Sequence, residues 1–287
     1  MLLHSTPLSY IFLLWTCCLR EAASVIPSEA HKNKVNGHNN KALVPKASLT
    51  QKGYIQFLKY VVEVPEIAEY TFCIWVKSYN FTFSHPLLSY SRHEQDRFIR
   101  VWISPHGSHL NLELLQVPVF SIPLHAQEHQ WYHICQSWSA PKAAWSVFLN
   151  GQLRANGHQP KLHNMRIPSR GDLVVGQEYT DFDKGLDDGI EGEISGFNFV
   201  LESTFPRASD HLFAMDNLIQ KRSMLWKKHL DSMLHQMPLG LILVQLGRDC
   251  EYLRGAPLKG KKVLINWTKT EVRVFGGAIL KTVSRFC

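Results

Sequence analysis

The stretch from Trp131 to Gly151 constrains this chain most. Tyr132-His133-Ile134-Cys135-Gln136-Ser137-Trp138-Ser139 reads as a half-buried strand, and Ala144-Trp145-Ser146-Val147-Phe148-Leu149 as a second strand ending at Asn150-Gly151. An Asn-Gly pair between strand-like runs is a strong short-range signal for a tight hairpin turn, because both positions favour φ > 0. The pattern continues on both sides. Strands are predicted within Tyr54–Val62, Tyr70–Lys77, Pro86–Ser91, Phe98–Ile103, Leu110–Leu115, Asp172–Gly176 and Gly192–Val200, and in a last β segment from Lys262 onward. Gly, Pro, Asn and Asp break them apart, and no helical stretch alternates with them, which excludes a parallel α/β sheet. The predicted fold class is all-β, a two-sheet antiparallel jelly roll. An apolar content of 45% suffices for one sizeable core.

The ends of the chain read differently. Residues 1–23 carry a short apolar run, Ile11 to Leu19, before Ala22 and Ala23, and are expected to be a secretory signal peptide. Residues 24–40 hold Lys, Asn, His and Gly with few large apolar side chains, and read as a flexible N-terminal linker. Residues 41–287 form the folded domain, interrupted by a helical insertion at 203–250. Within it Ala208–Met237 lacks Gly and Pro and places Leu212, Met215, Ile219, Trp226, Leu230 and Met233 roughly on one face. Pro238 reads as a helix stop, and Leu239–Val244 as a strand-sized apolar piece. No run is long enough to span a membrane as a helix, so the product is expected to be secreted and extracellular.

Compartment and cysteines agree. With Cys17 and Cys18 in the signal segment, Cys73, Cys135, Cys250 and Cys287 remain, and four cysteines allow three pairings. The strand settings of Cys73 and Cys135 suggest one bridge, and the segment bracketed by Cys250 and Cys287 suggests the other. Asn80-Phe81-Thr82 and Asn266-Trp267-Thr268 are candidate glycosylation sequons, Asn266 the less open beside a Trp expected to be buried. The net charge of +7 makes polyanions conceivable partners, but the cations are scattered, and no specific nucleic-acid partner is expected.

Two constellations carry chemistry. His133 beside Cys135 resembles half a zinc site, yet there is no Cys-x-x-Cys and no second His-rich pair, so a disulfide is the better reading. The run from Glu178 to Glu191 holds Asp181, Asp183, Asp187 and Asp188, with Gly185 and Gly189 to let the backbone turn. Calcium takes six to eight hard oxygens, often from such a loop. Glu191 and Glu193 alternate like a carboxylate pair, but the setting lacks a glycosidase arrangement. Gly-x-Ser-x-Gly, His-Glu-x-x-His and a phosphate-cradling glycine loop are missing too, so no enzymatic activity is expected.

His133-x-Cys135-x-Ser137-Trp138-Ser139 resembles the signature of the pentraxin family, the C-reactive protein and serum amyloid P-like domains. Ala42–Ser48, Thr71–Trp75, Leu173–Glu178, Gly192–Asn198 and Leu264–Trp267 resemble further family stretches in the same order. The resemblance implies a flattened jelly roll, related to laminin-G-like and concanavalin-like sandwiches, with a helix on one face. It also implies a Cys73–Cys135 bridge, worth about 4–5 kcal/mol in the chain-entropy model. Calcium, one ion or two, would be held by Asp96, Glu178, Asp181 and Asp187 or Asp188. Arg97 departs from the family by placing a cation where an Asn ligand is expected, and the acidic loop is shorter. The family's ring assemblies make a homo-oligomer conceivable, although the 203–250 insertion stands against carrying that over.

The expected function is that of a secreted lectin-like pattern-recognition protein of innate immunity, binding phosphocholine-like, carbohydrate or other anionic extracellular ligands with calcium. The alternative is a calcium-independent adhesion or protein-interaction module that engages a protein partner through 203–250.

Overall fold

Along Glu69–Ser78 the side chains alternate, Tyr70, Phe72, Ile74 and Val76 joining one buried cluster while Cys73 joins another. That period-two division runs through the whole domain and makes it a sandwich. The computed structural model describes residues 43–50, 55–92, 96–178, 189–205, 237–247 and 258–284. The signal and linker segments 1–23 and 24–40 lie outside these residues, as do Asp181, Asp187, Asp188, Cys250, Cys287 and the stretch 208–236.

One sheet has eight strands: β1 (Leu43–Leu49), β3 (Glu69–Ser78), β8 (Tyr132–Ser139), β9 (Ala144–Leu149), β10 (Gln152–His158), β12 (Gly192–Val200), β13 (Val263–Ile265) and β15 (Ile279–Ser284). Their order is β10-β9-β8-β3-β12-β1-β15, with β13 pairing to β12. The seven-stranded sheet comprises β2 (Phe57–Tyr60), β4 (His85–Ser91), β5 (Arg97–Ile103), β6 (His109–Leu114), β7 (Val117–Pro123), β11 (Asp172–Val175) and β14 (Val272–Phe275), in the order β14-β2-β11-β4-β5-β6-β7. The ladders are antiparallel throughout, as in β3 against β8 and β5 against β6. Asn150 and Gly151, with φ of 51° and 78°, make the two-residue turn between β9 and β10 that their sequence predicts.

The core lies between the sheets. Tyr70, Phe72, Ile74, Trp138, Phe197 and Phe199 from the larger sheet meet Leu58, Tyr90, Ile99 and Leu112 from the smaller one. The Tyr70–Phe199 and Tyr60–Phe197 ring centroids are each 5.3 Å apart, a spacing typical of favourable aromatic pairs.

The outer face of the larger sheet carries the second apolar cluster. Cys73 and Cys135 stand opposite each other in the β3–β8 register, 4.1 Å apart at Cα, and are joined by a disulfide. Above them lies α1 (Leu239–Gly247), packing Leu241, Ile242, Leu243, Val244 and Leu246 with Phe148 and Val200. This corrects the strand reading of Leu239–Val244. A short apolar run fits a buried strand and a buried helix equally well. Pro238 opens this helix: its carbonyl accepts from the amides of Leu241 and Ile242. The Glu202 carboxylate accepts from the Leu239 amide at 3.1 Å, at the N-terminal end where the helix dipole favours an anion. At the other end the Trp75 indole donates to the Gly247 carbonyl at 2.8 Å.

Candidate ligand-binding face

With α1 seated on the larger sheet, the outward positions of the smaller sheet are the other broad surface. β5 sets Arg100 and Trp102 on it, because Ile99, Val101 and Ile103 take the core positions between them. β6 brings Glu113 opposite Arg100 and Asn111 opposite Trp102. Arg100 is the hub. Its Nη1 lies 3.2 Å from Glu113 Oε1, its Nη2 donates to Glu178 Oε2 at 2.8 Å, and its Nε faces Glu178 Oε1 in a close ion pair. Arg97 adds a second guanidinium, with Nη1 3.4 Å from Glu178 Oε1. The Arg100 guanidinium also lies over the Trp102 ring, 5.1 Å from its centroid. Burial works against the charge of Arg100, but the hydrogen bond and charge of Glu178, helped by Glu113, outweigh it and raise its pKa.

Of the five predicted calcium ligands, Asp96 and Glu178 fall within the described residues. In the structure each of the two carboxylates is met by guanidinium groups. Asp96 is partly exposed and accepts from Arg92, Nη2 at 2.9 Å and Nε at 3.3 Å. Glu178 is 8% exposed, and both its oxygens face guanidinium groups. A hard divalent cation needs those lone pairs and is repelled by adjacent positive charge. As described, the lone pairs of Glu178 are taken up by Arg97 and Arg100, which a metal ion at this carboxylate would have to displace. Sequence reasoning singled out Arg97 but missed Arg100, although an Arg between Ile99 and Val101 on a core-facing strand is a signal of a paired, outward-pointing charge.

The other candidates resolve clearly. Cys73, His133 and Cys135 come within 4.8 Å of one another through their ligating atoms, but both sulfurs are committed to the disulfide. Glu191 and Glu193 do not form a catalytic pair. Glu193 is bound by Lys46 at 2.5 Å and Lys77 at 2.7 Å. Burial would raise its pKa, but hydrogen bonds from Lys46, Lys77 and Tyr79 outweigh it and lower the value, the opposite of what a general acid needs. Glu191 Oε2 accepts from the Asn80 amide at 3.1 Å. In the two sequons, Asn80 is half-buried, while Asn266 is buried and accepts from Thr268 through its amide nitrogen and hydroxyl, at 3.2 and 3.1 Å.

The signature residues hold the fold together. Trp138 points into the core. Ser137 Oγ donates to the Tyr70 carbonyl and accepts from Thr71 and from the Thr204 amide. Ser139 donates to Glu69 Oε1 at 2.5 Å, which also accepts from Ser203. These buried bonds fix segment 202–205, the lead-in to the α1 side of the sheet.

The Pentaxin family model matches residues 41–228. The human neuronal pentraxin receptor is 27% identical over 169 residues, covering 56% of this chain and 33% of that protein. Neuronal pentraxin-2 of Cavia porcellus is 28% identical over 155 residues, covering 53% and 36%. The chain thus spans about a third of the length of the curated relatives it matches. A native heptameric SAP-like pentraxin from Limulus polyphemus superposes with a TM-score of 0.58 at 18% identity, over 83% of this chain and 94% of that one, a likeness of fold.

Proposed function

Because the chain belongs to the pentaxin family, whose members are non-enzymatic binding proteins, we propose that it is a secreted, lectin-like recognition protein whose ligand face is the outer surface of the seven-stranded sheet. One observation carries this reading: α1 covers the larger sheet, while β5 and β6 offer Trp102 flanked by Arg100, Asn111 and Glu113. A half-buried aromatic ring beside fixed polar groups suits a sugar or phosphocholine-like ligand, giving apolar contact and directed hydrogen bonds at low entropic cost. No helix among the described residues is long and apolar enough to cross a membrane.

A second reading keeps calcium in the site. It is favoured by the acidic run from Glu178 to Glu191 and uses Asp96, Glu178, Asp181, Asp187 and Asp188 as ligands. Passing the full chain over phosphocholine and polysaccharide beads, with and without chelator, separates the two. The face reading expects retention that survives chelator and falls at least tenfold in Trp102→Ala. Retention lost in chelator supports the calcium reading, and retention unaffected by Trp102→Ala overturns the assignment of the face.

A further inference from the structure

Glu178 closes the edge of the candidate face where β11 ends, and the family resemblance makes it a calcium ligand. The structure gives it a different partner. Arg100 Nη2 donates a charge-assisted hydrogen bond to Oε2 at 2.8 Å, and its Nε stands against Oε1 as an ion pair. Arg97 stands on the same carboxylate, and Glu113 balances part of the added positive charge from β6. The two arginines and two glutamates tie β5, β6 and the chain after β11 together. A bound divalent ion would join the same segments, but it would require Arg100 and Arg97 to leave.

We propose that Arg100, seconded by Arg97, is a built-in cation that holds Glu178 in place of a calcium ion, so that this end of the seven-stranded sheet is assembled without metal. The inference goes beyond the ligand reading and is tested with no ligand present. Three consequences follow from the chemistry. The fold should be indifferent to calcium at this site. Removing the guanidinium should leave a mostly buried carboxylate without its main partner, which is a costly state. Removing both charges together should be better tolerated than removing Arg100 alone.

The experiment is thermal unfolding of the full chain in chelator and in millimolar calcium, for the natural protein, Arg100→Gln, Glu178→Gln and the double variant. The expected result is a melting temperature for the natural protein that is the same in both buffers to within about 1 °C. Arg100→Gln should melt roughly 5 °C lower or more, and the double variant should regain part of that loss. A calcium-dependent rise of several degrees in the natural protein that Glu178→Gln abolishes would make Glu178 a metal ligand and overturn the proposal. So would Arg100→Gln melting unchanged in chelator. A calcium-dependent rise that Glu178→Gln retains places the ion away from Glu178 and upholds it. If Arg100→Gln does not fold, the comparison of the natural protein with Glu178→Gln still decides.

Discussion

At the scale of single residues, what was legible in the sequence was identity of environment rather than identity of partner. Cys135, Ser137 and Trp138 stand out as parts of a motif, and their alternation sends Trp138 inward and Cys135 and Ser137 outward. Nothing in the string tells that Ser137 meets Thr204, sixty-seven positions away, or that Arg100 meets Glu178 across seventy-eight. Such contacts depend on strand order, which local periodicity does not encode. His85 shows what burial does to a titratable group. It is fully buried, with Nε2 2.7 Å from Ser78 Oγ and Nδ1 3.0 Å from the Phe83 carbonyl. Burial pushes its pKa below the ordinary 6.5, against smaller opposing effects from backbone hydrogen bonds and from Glu191 and Glu128. The unfolded chain therefore takes up a proton first as pH falls. Stability from this group is full above pH 6.5 and is lost progressively below it, down to the folded value. Denaturant titrations between about pH 7 and 5 should show stability falling with acid, with a shallower slope in His85→Gln. A slope unchanged by that substitution would assign the acid sensitivity elsewhere. The sequons give a second residue-scale test. Peptide mapping of secreted protein is expected to find glycan on Asn80 and none on Asn266, since Asn266 is buried whereas Asn80 is partly exposed; full occupancy of Asn266 would contradict this.

Among elements, the central strands were the legible ones and the edges were not. β3, β4, β5, β8, β9 and β12 are apolar enough for their pattern to show. The edge strands β7 and β10 do not stand out, the first because it contains Pro118 and Pro123, the second because Gln152–His158 holds only Leu153 and Ala155 as apolar side chains. Both features suit an edge, where prolines and polar residues discourage further pairing. β14 and β15, the other two edges, were absorbed into one final β segment. α1 reads as a strand in the sequence because apolarity all round a short element hides its period. Its seat depends on close approach: a Cβ on Gly240 would lie 2.3 Å from Thr71 Oγ1 and 2.6 Å from the Ser203 backbone, and one on Gly247 would lie 2.7 Å from His133 Nε2. Gly240→Ala should therefore lift the helix from the disulfide platform and cost about 2 kcal/mol, near 5 °C in melting temperature. Gln245→Ala, on the less buried side of the same helix, should change stability by less than about 0.5 kcal/mol. Equal effects from both would mean that α1 is not held by this contact.

For the whole molecule, the division of labour between two faces organises the account. The larger sheet is stapled by Cys73–Cys135, roofed by α1 and tied by buried Ser, Thr and Glu contacts to segment 202–205. That side spends its polar groups on structure. The smaller sheet turns Arg97, Arg100, Trp102 and Glu113 outward, and the proposed recognition belongs there. The alternative is partner binding through 203–250, of which the described residues 239–247 are packed against the larger sheet. Hydrogen exchange of the full chain, with and without a saturating retained ligand, separates these most directly. The account predicts slowed exchange in Arg97–Ile103 and His109–Leu114, with Tyr132–Leu149 and Leu239–Gly247 unchanged. Protection confined to 203–250, with none in β5 or β6, would contradict it.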